Sequence, residues 1–352
     1  MPHDSVMERP YVCPLTHSLL RPDDQALRSS AGDTVYPVRS GIPQFQRFGA
    51  AEDDAGRARL ARLNALARSE GWEAALRSVW RDDPGMLAYV LQPGRAAFLD
   101  LLPLTPHTDV LEIGPGLGQF TALFAQRARS VSALEVVSGQ AEFVAQRCAQ
   151  QGRDNVRVAA GGDDCRLPYP DASFDLVVLN LVFEWCASRC PDEPELEVQR
   201  RLLGEMARVL RPGGSLYLAT KNRFALKYLI GKADEHSHQM RFGNALPRSL
   251  WRWLLRRRGQ ARPGGLLHSH DALQALIEQA GFTDLRSFWA APEMRFARDY
   301  VSTDAAAVRA ARRQPGFVQG EGRSARWLMQ CVPAPLVKHL TPGLAFLAKK
   351  LA

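Results

Sequence analysis

From Thr108 onward the chain alternates short apolar runs with longer stretches of helical periodicity, and this rhythm constrains its fold more than any other feature. Val110-Leu111-Glu112-Ile113 reads as a short buried strand, and a glycine turn leads from it into an Ala/Leu/Phe helix from about Gln119. Residues 131–135 give the next strand, a helix follows to about Gln151, and further strands fall at 156–160 and 174–179. A helix over 196–210 and the turn Pro212-Gly213-Gly214 precede a strand at 215–220. After an irregular stretch, a helix over 270–280 and a strand over 283–289 resume the pattern. Residues 344–348 read as the last sheet strand, with an amphipathic helix as the alternative. Apolar strands separated by helices of ten or more residues specify an α/β fold, with a doubly wound parallel sheet covered on both faces.

The N-terminal third differs in character. To about Phe48 it is rich in Pro, Ser and Asp, with short apolar groups at Val12, Leu19-Leu20, Leu27, Val35-Tyr36 and Ile42 that suit small strands and turns. Residues 50–80 turn to Ala, Arg, Leu and Glu with Leu60, Leu63 and Leu66 near helical spacing, and a second helix is expected from about Met86 to Leu102. With 352 residues, 46% hydrophobic and 23% charged, the chain is neither disordered, collagenous nor a coiled coil. No apolar run reaches the ~18–20 residues of a membrane span. The start, Met1-Pro2-His3-Asp4-Ser5, lacks the basic-then-apolar layout of a secretion signal, so a cytoplasmic address is expected. Six scattered cysteines do not make a disulfide framework, and the Cys186/Cys190 pair has neither CxxC spacing nor a second pair. No metal is expected. The net charge of +8 points only weakly to an anionic partner.

The chemistry concentrates at Gly114-Pro115-Gly116-Leu117-Gly118, between the first core strand and its helix. Glycines there let backbone approach a ligand and present helix N-terminal amides to it. The dinucleotide pattern GxGxxG would need glycine at 119, where Gln119 stands, and no Gly-Lys-Ser/Thr follows for a P-loop. Alone, the motif could be only a tight turn. Three further features fall at the carboxyl ends of successive strands. Glu135 lies about twenty residues past the loop, where a carboxylate accepts both ribose hydroxyl protons. Asp163 and Asp164 follow the third strand, and Asn180 sits just beyond the fourth. Each acidic residue alone reads as a solvated loop charge; together they line the edge where open α/β sheets bind ligands.

Over roughly residues 103–289 the sequence resembles the class I S-adenosylmethionine-dependent methyltransferases, whose core is Rossmann-like. The likeness rests on Leu111-Glu-Ile-Gly-Pro-Gly-Leu-Gly118, Glu135, Gly162-Asp163 with Leu167-Pro168-Tyr169, Ser173-Phe174-Asp175, and Val209-Leu-Arg-Pro-Gly-Gly214. It implies S-adenosyl-L-methionine as cofactor, with Glu112, Gly114, Gly116 and Gly118 holding the methionine moiety, Glu135 the ribose and Asp163 the adenine amine. Asp164 stands where a small residue is more usual, leaving open which aspartate faces the base. Residues 11–43 resemble the small zinc-ribbon domain found alone or fused to methyltransferases. Partners for Cys13 are replaced by Thr16, Ser29 and Gly32, so the ribbon is expected to lack its metal.

The resemblance divides the chain into a degenerate ribbon (1–49), a helical cap (50–103), a cofactor-binding core (104–220), an inserted acceptor-side lid (221–268) and a C-terminal completion of the core (269–352). The expected reaction is methyl transfer to oxygen, hydroxyl or carboxyl, on a small, lipidic or saccharide metabolite of a specialised biosynthetic pathway. An alcohol acceptor benefits from a base, and Glu235, His236 and His238 in the lid are the candidates. His268, His270 and Asp271 are further ones, with helix capping as their competing role, and Glu184 and Trp185 are candidates for the acceptor pocket. Residues 248–258 form a basic helix with Leu250, Trp251, Leu254 and Leu255 on one face. It suits a lid with a solvated back, or a dock for an acidic carrier or a membrane surface. Asn180-Leu-Val-Phe-Glu-Trp185 lacks the Asn/Asp-Pro-Pro-Tyr set of base-amine methyltransferases, which argues against nucleic acid. An RNA base methyltransferase and a non-catalytic S-adenosylmethionine-binding regulator remain as alternative functions.

Overall fold

In the computed structural model, which describes residues 10–48, 53–234, 236, 238–260, 264–314, 327 and 330–351, the chain builds two sheets. Strands β1 (Leu20–Asp23), β2 (Ala26–Ser29), β3 (Val35–Arg39) and β4 (Ile42–Pro43) pair antiparallel in that order. Cys13 Sγ lies 3.1 Å from Tyr36 Oη, and the hydroxyls of Thr16, Ser18 and Ser29 form a chain with 2.8 and 2.7 Å links. Hydroxyl hydrogen bonds thus tie the turn before β1 to the end of β2.

Three helices follow: α1 (Asp54–Glu70), α2 (Trp72–Val79) and α3 (Pro84–Leu91). Two sequence expectations change here. The 50–80 helix breaks at Gly71, whose φ of 91° a helix cannot hold. The helix expected over 86–102 starts at Pro84, capped by Asp83, and stops before Pro93, which cannot continue it; Pro93–Leu101 is a 3-10 helix instead.

The core runs β5 (Asp109–Ile113), α4 (Thr121–Arg127), β6 (Ser130–Glu135), α5 (Ser138–Gln150), β7 (Val156–Ala160), β8 (Phe174–Asn180), α6 (Glu195–Val209) and β9 (Leu210–Lys221). Then come α7 (Leu226–Leu229), α8 (Arg248–Arg257), α9 (His270–Gln279), β10 (Phe282–Ala291), β11 (Asp299–Ser302), α10 (Ala305–Ala311) and β12 (Gly343–Lys350). The large sheet has order β11-β10-β12-β9-β8-β5-β6-β7. Strands β9 to β7 are parallel, but β12 runs antiparallel to β9, and β10 antiparallel to β12 and β11. The sheet is therefore mixed rather than wholly parallel. The Pro212-Gly213-Gly214 turn is absorbed into β9 as an irregularity in its pairing with β8.

Every residue of β5 and β6 is buried, as a strand between two helical layers requires. Leu111, Ile113, Val177 and Leu179 face α6, α9 and the N-terminal sheet. Val110, Leu176 and Val178 face Phe98, Phe124 and Tyr217. Helix α1 packs on α5 so closely that Gly139 has only 3.0 Å to Leu60 for an added Cβ. The N-terminal sheet joins the β7 edge, where the Phe45 amide donates to Ala160 O at 2.6 Å. That pairing covers an edge that would otherwise offer unpaired amides.

Candidate functional site

The glycine turn after β5 is the floor of the site. Gly114, Gly116 and Gly118 all hold positive φ, 71°, 60° and 71°, where an L side chain is strained. A Cβ on Gly114 would come within 2.4 Å of Val182, whereas one on Gly116 meets nothing within 4 Å. Gly116 therefore opens its backbone to the space above the carboxyl ends of β5 and β8.

That space is two adjoining cavities. One, of about 320 Å³, is lined by Gly114, Gly116, Glu135, Asp163, Asn180 and Trp185 among others. The other, of about 150 Å³, shares the two glycines, Tyr89 and Asn180, and adds Arg95, Glu112 and Gln119. Glu112, Gly114, Gly116, Glu135, Asp163 and Asn180 are thus gathered around one turn. Gly118 packs against Val144 of α5, 3.2 Å from an added Cβ, and serves helix approach rather than the cavity wall.

Glu135 Oε2 accepts the Gly116 amide at 2.9 Å and Oε1 the Val137 amide at 3.1 Å. Glu112 lies behind the turn, accepts Thr121 Oγ1–H at 2.6 Å, and is pushed up to about 7, first by burial and then by Glu135, against the Thr121 bond and Arg147. Asn180 Oδ1 is buried with no hydrogen-bond partner among the described residues. A buried acceptor left so is costly unless a ligand donor meets it.

Asp163 has a duty that sequence did not suggest. Its carboxylate accepts the Arg47 amide at 3.0 Å and the Phe48 amide at 2.7 Å, fastening residues 47–48 to the core. Asp164 turns away, to Arg166 at 2.9 Å. Of the two, Asp163 lines the cavity.

Glu235 lies outside the described residues, and His238 is exposed. His236 is 1% exposed, with Nδ1 2.8 Å from Asp234 and its ring 4.3 Å from that of Trp185. It lines neither cavity. Glu184 is fully buried under it, accepts Thr220 Oγ1–H at 2.7 Å and stands 3.9 Å from His236 Nε2. Trp185 lines the larger cavity and also packs on His236. His268 is buried against Gln199 at 2.6 Å and pushed down to about 3 by burial and the nearby Arg248 and Arg223. Ser269, not His270 or Asp271, caps α9. Among the described residues no group of three or more His, Cys, Asp or Glu side chains could hold a metal ion. On α8, Trp251 and Leu255 are buried as the pattern implies, but Leu250 is exposed, along with Trp253.

A mixed α/β sheet with a glycine turn and three strand-end polar groups around one crevice defines a Rossmann-like nucleotide-binding core. Residues 111–218 match the family model described as a methyltransferase domain, a span that begins in β5, ends in β9 and contains the whole turn. Among curated proteins, the biotin biosynthesis bifunctional protein BioHC of Cellvibrio japonicus is 36% identical over 151 residues, 42% of this chain and 27% of that protein. The malonyl-[acyl-carrier protein] O-methyltransferase of Pectobacterium atrosepticum is 31% identical over 152 residues, 43% of this chain and 54% of that protein. The chain thus spans between about a quarter and about half the length of these relatives. A solved structure of Haemonchus contortus phosphoethanolamine N-methyltransferase 2 with S-adenosyl-L-methionine is 15% identical, with a TM-score of 0.43 over 82% of this chain and 59% of that one.

Proposed function

We propose that the chain is an S-adenosylmethionine-dependent methyltransferase that methylates oxygen, and specifically a carboxylate, on an acceptor carried as an acyl thioester. The observation that carries the reading is the single crevice around Gly116. Its backbone is open to a ligand, the Glu135 carboxylate stands beside it at the end of β6, where it would take the ribose, and Asn180 Oδ1 has no donor among the described residues, leaving it to meet an ammonium group. These groups fit the cofactor. Bound there, S-adenosylmethionine supplies an electrophilic methyl group. The chain's part is to hold it by Glu112, the glycine turn, Glu135, Asp163 and Asn180, and to align the acceptor while water is kept out.

The carboxylate preference has two supports. A carboxylate arrives ionised and needs no base, and neither His236 nor His238 lines the cavities. The relatives include proteins named malonyl-[acyl-carrier protein] O-methyltransferases. The partner that follows is an acidic carrier, docked on the exposed arginines of α8. The five-part division at residues 49, 103, 220 and 268, and the degenerate-ribbon identity of the N-terminal segment, belong to the same proposal. Incubation with methyl-labelled S-adenosylmethionine and malonyl thioesters of carrier protein or coenzyme A tests it. Label in a base-labile methyl ester is expected; label appearing only in bulk RNA, or in no acceptor while cofactor binds, overturns it.

A further inference from the structure

Three of the six cysteines meet at one wall of the crevice. Cys165 follows Asp163 and Asp164 after β7, while Cys186 and Cys190 bound the 3-10 turn after β8. Cys165 is 1% exposed; its thiol hydrogen-bonds with that of Cys186 and lies 3.7 Å from Cys186 O. Cys190 Sγ lies 3.7 Å from Asp163 O and 3.8 Å from Arg201 Nη2. The three thiols are not equivalent. Cys186 is half-buried and lines the larger cavity, so a small solute entering the crevice meets it first. Cys165 lies behind it, pushed up by the Cys186 contact and by burial, and so stays a thiol. Its φ of 61° is a left-handed conformation that costs a non-glycine residue, and such strain collects at switch regions. Methyl transfer to a carboxylate uses none of these thiols.

We infer that Cys186 and Cys165 are a redox modification site in the cavity wall, forming a reversible disulfide that weakens the hold of the crevice on its nucleoside. The inference rests on the S-adenosylmethionine reading above and adds regulation to that site. The oxidant is a peroxide. The Cys186 sulfur attacks one oxygen, the O–O bond breaks, and the leaving hydroxide takes the Cys186 proton, giving a sulfenic acid and one water. The Cys165 sulfur then attacks the Cys186 sulfur, the S–O bond breaks, and the departing hydroxide takes the Cys165 proton as a second water. The two thiols lose two electrons and the peroxide gains them; a dithiol reductant reverses the step. Bonded sulfurs stand far closer than thiols in contact, so the bond draws the two loops together. Asp163 stands two residues before Cys165 and Trp185 directly before Cys186, and both line the larger cavity. The wall that moves is therefore the one against which the adenosine would lie.

The test treats the intact chain with hydrogen peroxide, maps its disulfides by peptide mass spectrometry, and measures affinity for S-adenosylmethionine and its demethylated product by calorimetry. Affinity is read before oxidation, after it, and after dithiothreitol. A Cys165–Cys186 link is expected, with affinity for both ligands falling several-fold or more and returning on reduction. Cys186→Ser should keep its affinity through oxidation, and Cys165→Ser should leave Cys186 as a sulfenic acid that dimedone traps. Cys331→Ser, which removes an exposed thiol, should still lose affinity on oxidation. No link, a link through Cys190 or Cys331, or a Cys165–Cys186 link that leaves affinity unchanged overturns the inference. These readouts need only the wild-type chain, so a variant that fails to fold does not shield it. Reduced wild-type protein that binds neither ligand contradicts the cofactor reading and takes this inference with it, a result distinct from bound ligand that oxidation does not loosen.

Discussion

The carboxylate of Glu135 reaches back across the sheet edge to accept the Gly116 amide at 2.9 Å, so the side chain that ends β6 also clamps the turn that follows β5. In the proposed reading, where Glu135 also holds the ribose, ligand recognition and the shape of the turn are coupled through one residue. Glu135→Ala is expected to cost about 1–3 kcal/mol of cofactor affinity, since it removes an acceptor and frees two amides. Glu135→Gln, which keeps one oxygen, should lose less. Calorimetric affinities unchanged in both variants would put the ribose elsewhere.

Gly114 and Gly116 should respond differently to alanine, although both hold positive φ. At Gly114 the methyl would strike Val182 at 2.4 Å, adding overpacking of about 1–3 kcal/mol to the backbone strain. At Gly116 the methyl enters open space. Gly114→Ala is therefore expected to lower the melting temperature more, and Gly116→Ala to cost only the backbone strain while blocking ligand. Thermal unfolding with and without S-adenosylmethionine separates the two.

Asp163 fastens Arg47 and Phe48 to the core, so its removal should loosen the N-terminal sheet. Asp163→Ala is expected to cost about 1–3 kcal/mol of stability and to expose the chain near residue 48 to limited proteolysis. Proteolysis at the wild-type rate would show that the pairing of Phe45 with Ala160 holds the segment by itself.

Glu112 gives stability a pH dependence of definite sign. Its carboxyl is pushed up to about 7 in the folded chain, from 4.5 when unfolded. The folded state therefore binds the proton more tightly, and stability falls as pH rises from about 4.5 to about 7, then levels off. His268, pushed down to about 3 from 6.5, acts oppositely: stability is lost as pH falls below 6.5. The stability difference between wild type and Glu112→Gln, followed by urea unfolding across this window, should tilt against wild type as pH rises. A flat difference would mean Glu112 is ionised throughout.

Helix α8 leaves Leu250 and Trp253 exposed beside Arg256 and Arg257. Reversing Arg256 and Arg257 to Glu should raise KM for a carrier-bound thioester several-fold at low salt, with kcat and the KM for the coenzyme A thioester little changed. Equal effects on both thioesters would place the carrier elsewhere.

Much of this site is legible in the chain because strands β5 to β8 are short, apolar and punctuated by polar groups at their carboxyl ends. The strand at 156–160 has the expected bounds, and Glu112, Glu135 and Asn180 fall around the glycine turn as their strand-end positions imply. What the sequence hides is tertiary. The helix breaks at Gly71 and Pro93 were present as residues but outweighed by helical periodicity around them. Asp163 lines the cavity, but its hold on the Arg47 and Phe48 amides, more than a hundred residues earlier, has no local signal. Arg95 gives no periodic signal; its burial arises because α3 and the 3-10 helix fold over Gln119. His236 looks like a base in sequence and is instead packed between Asp234 and Trp185.

Isothermal titration of the intact chain with S-adenosylmethionine and with its demethylated product addresses the whole argument at once. Saturable binding of both, weakened by Glu135→Ala, is the expected result. No heat from either ligand at high micromolar concentration, in protein that unfolds cooperatively, would contradict it.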